Sequence, residues 1–136
     1  MNKISSALGL RKLVFNKIEF NRKGFKNQYD LEFQIEAQIG KNIDVEDIYE
    51  VTLILNAEKK EEYDFLISLS GFFSIEKDTE LTENQRMNLI NKNAVAILMP
   101  YLRSEVSLLT AQPETECVVL PPFNINKMLD KSACLK

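Results

Sequence analysis

Chemistry in this sequence would have to begin with its carboxylates. Asp44, Glu46, Asp47 and Glu50 crowd one short stretch, and four such side chains could hold a hard cation. Their spacing lacks the glycine and the ligand order of a calcium loop, so they read as a solvated loop. Glu58, Glu61, Glu62 and Asp64 surround Lys59 and Lys60, the composition of an ordinary charged hairpin tip. Ser70, next to Gly71, and Ser74 have no histidine to activate them, because the chain contains none. Its two cysteines, Cys117 and Cys134, lie far apart, which excludes a Cys/His zinc site and suggests no disulfide framework. No GxGxxG, P-loop, HExxH or CxxC pattern occurs. The chain reads as a non-enzyme, with no catalytic residue, metal or cofactor implied.

The bulk properties agree with one soluble domain spanning residues 1–136, with 45% hydrophobic and 27% charged residues. A net charge of −3 hides an asymmetry: residues 1–26 carry seven basic side chains against Glu19 alone, whereas residues 44–83 carry twelve acids against three lysines. A basic segment can attract nucleic acid. No aromatic-interleaved basic motif or helix-turn-helix pattern accompanies it, so it reads as lying beside the acidic strands, with no nucleic-acid partner. ISSALGL is apolar only briefly before Arg11 and Lys12, a poor signal-peptide core, and no run approaches membrane-spanning length. The expected location is the reducing cytoplasm.

Four segments alternate like strands. In LGLRKLVFNKIEF, residues 8–20, Val14, Ile18 and Phe20 are in phase. NRKGFKN is a turn signal around Gly24. YDLEFQIEAQI places Tyr29, Leu31, Phe33, Ile35 and Ala37 on one face and acidic or amide residues on the other. YEVTLILNAE and YDFLISLSGFFSIE follow, joined by NAEKKEE, short enough to make them an antiparallel hairpin. Gly71 permits a bulge or a close backbone approach. GKNIDVEDI, between the second and third strands, exceeds a tight turn and is long enough to cross over. Thr82, followed three residues later by Gln85, is a helix-capping signal. The helix it opens reaches about Thr110, and Pro100 should bend or break it. INKMLDK predicts a last short helix. The architecture is α+β: a four-stranded antiparallel sheet with a long bent helix and a short C-terminal helix packed on one face.

Two features exceed what one small domain can bury. The helix carries one apolar stripe at Val95, Leu98, Met99, Leu102, Val106 and Leu109, and a second at Ala94, Ile97, Tyr101 and Leu108. One stripe docks a helix on its own sheet; a second implies another cover. Tyr29, Phe33, Tyr63, Phe65, Phe72, Phe73 and Phe123 add many aromatic residues to the sheet and to VVLPPF. The expectation is an oligomer with apolar grooves.

In order along the chain, YEVTLILNAE, SGFFSIE, AILMPYLRSEV and VVLPPFNINKML resemble segments of the SecB family of bacterial protein-export chaperones. The resemblance covers about Leu8 to Lys131. It implies a homotetramer, a dimer of dimers with the long helices at its centre, so that Ala94, Ile97, Tyr101 and Leu108 would form an oligomer interface. It also implies an ATP-independent holdase that binds unfolded polypeptides in apolar grooves and passes preproteins to the SecA motor. Carried over by position, the groove would be lined by Tyr29, Phe33, Ile35, Tyr63, Phe65, Leu120, Phe123, Ile125 and Met128. Export-type members dock SecA partly through acidic residues on the exposed sheet face; here Lys17, Asn21 and Leu66 stand at those positions. Glu19, Glu32 and Glu36 offer a substitute acidic surface. SecB-like chaperones also protect the antitoxin of toxin–antitoxin pairs, so SecA and an antitoxin both stand as implied partners.

Overall fold

The computed structural model describes residues 8–41, 48–75 and 82–121. The predicted last helix, with Phe123, Ile125 and Met128, lies outside the described residues, as does Cys134. Four strands, β1 (Leu8–Arg22), β2 (Leu31–Lys41), β3 (Ile48–Lys59) and β4 (Tyr63–Ile75), precede one helix, α1 (Glu83–Thr110). The sheet is antiparallel throughout in the order β1-β4-β3-β2. The β3–β4 hairpin is therefore central, and β2 pairs directly with β3. The strands on either side of GKNIDVEDI are thus neighbours, and its residues 42–47 lie outside the described residues. The chain crosses between β1 and β2, through the short segment around Gly24.

Alternation sets the two faces. Tyr49, Val51, Leu53 and Leu55 of β3 and Phe65, Ile67, Leu69 and Phe73 of β4 are buried under α1. Ile18 and Phe20 of β1 join that face opposite Ile67 and Phe65, but Val14 pairs with Ser70 on the other face. The cause is a pair of irregularities, between Leu10 and Lys12 and between Phe15 and Lys17, each of which shifts the phase by one residue. Asn16 occupies the second, and its amide donates to the buried Ser70 hydroxyl at 2.8 Å. Ser70 also shares a hydrogen bond with Thr52 at 2.8 Å, so the bulge is tied to three strands by polar contacts.

The capping signal forms as written. The Gln85 N–H donates to the Thr82 hydroxyl, and the Gln85 side chain accepts from the Thr82 N–H. Pro100 does not break the helix. It lies at an exposed position, as does Ala96, whose carbonyl it leaves without its usual donor, so that carbonyl faces away from the core. Ile90, Ala94, Leu98, Leu102, Val106 and Thr110 are all buried, an unbroken row at intervals of four. Gly71 is the close-approach point: a Cβ there would lie 2.7 Å from Leu98 Cδ2 and 2.8 Å from Phe73 Cε1.

Candidate functional site

The inner face is not covered evenly. On β2, an edge strand, only Ala37 is buried, while Leu31, Phe33, Ile35 and Ile39 are half-buried and Tyr29, just before the strand, is 48% exposed. Phe33 and Ile35 therefore form an apolar strip on the outer strand of the described sheet. Tyr63 and Phe65, expected beside them, are instead buried in the core of the chain itself. Their rings stack on each other at 6.0 Å, and Phe20 lies 4.9 Å from Tyr63 in a tilted pair and 6.4 Å from Phe65 in a stacked one. Burial raises the Tyr63 phenol pKa, with the neighbouring Glu62 charge adding to it. Leu120 is also buried; the extended segment carrying it is held to α1 by Val118 N–H donating to Thr110 Oγ1 and by Ser107 Oγ donating to Val118 O.

The outward stripe of α1 separates into two classes. Ala94 is fully buried within the chain, as a member of the buried i+4 row. Ile97 is half-buried, Tyr101 is 46% exposed and Leu108 is 67% exposed, so these three present apolar surface outward.

The opposite sheet face holds a shallow depression of about 640 Å³ whose lining includes Glu19, Asn21, Glu32, Glu58, Asp64 and Leu66. Glu58 pairs with Glu32 across β2–β3 and with Asp64 across β3–β4, which sets these carboxylates in one line. Lys23 bridges Glu58 and Asp64 at 2.9 and 3.2 Å, and its pKa is raised by those contacts. The Asn21 amide and Lys23 hold Asp64 below its ordinary value. Lys17 is paired with Glu19 at 3.3 Å. Glu58 and Asp64 were read in the sequence only as hairpin charges; the antiparallel register of that hairpin is the signal that puts them on this face.

Over residues 6–134 the chain matches the family described as preprotein translocase subunit SecB. The chain belongs to the SecB family. It is 31% identical over 88 residues to the protein-export protein SecB of Anaplasma phagocytophilum; the match covers 62% of this chain and 56% of that relative, so it spans little more than half the relative's length. The fold is similar to that of the Rv1957 SecB-like chaperone of Mycobacterium tuberculosis, solved in complex with a ChAD peptide from the HigA1 antitoxin. That likeness has a TM-score of 0.73 at 11% identity and covers 90% of this chain and 91% of the other. Among the described residues of this SecB-family chain, no group of three or more His, Cys, Asp or Glu side chains could hold a metal ion, and no helix is long and apolar enough to cross a membrane.

Proposed function

We propose that this SecB-family protein is an ATP-independent holdase, which binds unfolded polypeptides in apolar grooves and keeps them competent for translocation. The observation that carries the reading is the half-buried strip of Phe33 and Ile35 on β2, the outer strand of the described sheet, continued by exposed Tyr29. Each such side chain covered by a client contributes about 1.5–3 kcal/mol, so several together offset the ordering of a flexible chain. Strand-edge hydrogen bonds add affinity without demanding a sequence. Leu120 leads into the segment whose Phe123, Ile125 and Met128 would complete the groove, and buried Tyr63 and Phe65 would line it only if the core beneath them opens. The assembly is a cytoplasmic tetramer, a dimer of dimers, joined through Ile97, Tyr101 and Leu108, with no nucleotide or metal requirement. Calorimetric titration with a reduced, alkylated polypeptide that cannot fold tests the reading. Binding that Phe33→Asp weakens supports it; equal binding of the folded form of the same polypeptide overturns it.

A second reading makes the client one antitoxin. Lys17, Asn21 and Leu66 stand where export-type members carry docking acids, and the Rv1957 chaperone was solved with an antitoxin peptide. Glu19, Glu32, Glu58 and Asp64 favour export instead, because they supply acids on the sheet face where export-type members dock SecA. Surface plasmon resonance against SecA separates the two: saturable binding lost in Glu32→Lys favours export, and none favours a dedicated client.

A further inference from the structure

The segment that crosses from β1 to β2 carries two poorly covered aromatic residues, Phe25 at 93% exposure and Tyr29 at 48%. Neither holds it in place through apolar burial. Its seat is polar and converges on two buried charges at the β3–β4 turn, Lys59 and Glu62, whose Nζ and Oε1 are 2.8 Å apart. Asn27 is clasped at both of its backbone groups: its N–H donates to Glu62 Oε1 at 3.0 Å, and its carbonyl accepts from Lys59 Nζ at 2.9 Å. Its side-chain amide donates to the Lys60 carbonyl at 2.8 Å, and its side-chain oxygen accepts from the Tyr29 N–H at 3.1 Å. One residue thus links the ion pair to the backbone of Tyr29. Upstream, Lys23 and Gly24 N–H both donate to the Glu62 carbonyl, and Gly24 lies so close to the turn that a Cβ would fall 2.4 Å from the Glu61 carbonyl oxygen.

A buried ion pair is a weak source of net stability, because desolvation cancels most of the attraction. Two apolar side chains would plug the hairpin end as well, but only hydrogen-bonding groups can hold a peptide unit at a set position. We infer that Lys59 and Glu62 act as a latch that positions Asn27, and through it Tyr29, at the mouth of the apolar strip. The inference rests on the client-binding reading and names the residues that set the geometry of that site. Lys59 and Glu62 are positioning residues that touch no client themselves.

Phe25→Trp introduces a lone tryptophan into a chain that has none. In that background, Lys59→Met with Glu62→Leu removes the latch while filling its space, and thermal unfolding checks the fold. Asn27→Pro, which deletes the N–H given to Glu62 and leaves the ion pair whole, is the second variant should the first fail to fold. The latch predicts lower tryptophan anisotropy and an affinity for a reduced, alkylated polypeptide weakened about tenfold, the loss of one ordered aromatic anchor. Tyr29→Ala should weaken binding in the latched protein and add nothing in the unlatched one, a coupling that a purely structural pair would not produce. Unchanged anisotropy and unchanged affinity overturn the inference. If the latched protein itself binds no unfolded polypeptide, the holdase reading fails, and the anisotropy still decides the latch.

Discussion

At the scale of the residue, Glu62 shows how a charge is kept where water is not. Burial alone pushes its pKa up; the hydrogen bonds from Lys59 and the Asn27 N–H, with the positive charges of Lys59 and Arg22, more than offset this and hold it below the ordinary carboxylate value. The groups facing it come from every neighbouring strand: Lys59 from β3, Arg22 from β1 and the neutral Tyr63 phenol from β4. A carboxylate with a lowered folded pKa contributes fully above its unfolded pKa, and that contribution is lost as pH falls through the folded value. Glu62→Gln should therefore lower urea stability by about 3 kcal/mol at neutral pH, because Lys59 is left buried without its partner. The gap should close as pH drops below the ordinary carboxylate range. A gap that stays constant over the whole acid limb would place the effect elsewhere.

At the scale of the element, the approach of α1 to the sheet turns on one missing side chain. Gly71→Ala would drive a methyl into Leu98 and Phe73, and overpacking of this kind costs about 1–3 kcal/mol, measurable as a lower denaturation midpoint with unchanged slope. Full stability in the variant would mean that α1 can lift from β4 without loss. Thr82→Ala should cost about 1 kcal/mol through loss of the cap, read in the same titration. The cap was legible because both its residues are local, and β2 because its alternation is uninterrupted. Val14 was placed on the wrong face because a bulge inserts one residue without a local signature: Asn16 is as ordinary in a regular strand. The strand order β1-β4-β3-β2 was illegible for a related reason, since it depends on which edge the segment after Arg22 crosses to. Of the candidate site, the strip on β2 was readable from its period. The burial of Tyr63, Phe65 and Leu120 was not, because it depends on how far α1 and the segment after it reach across the sheet.

At the scale of the whole molecule, the surplus of apolar surface organises the account. The inner face feeds a core, α1 covers its centre, and among the apolar surfaces left are Tyr101 and Leu108 facing outward and the strip on the β2 edge. In the proposed tetramer, the first is where another copy of the chain would sit. Leu108→Asp should dissociate the assembly into smaller species in sedimentation velocity; an unchanged profile would remove α1 from the interface. The second calls for a client. Light scattering of an aggregation-prone protein diluted from denaturant, with and without this chain and without ATP, tests that claim most directly. A holdase suppresses aggregation near stoichiometric amounts and does not bind the same client once folded. Undiminished aggregation across several unrelated clients would contradict it.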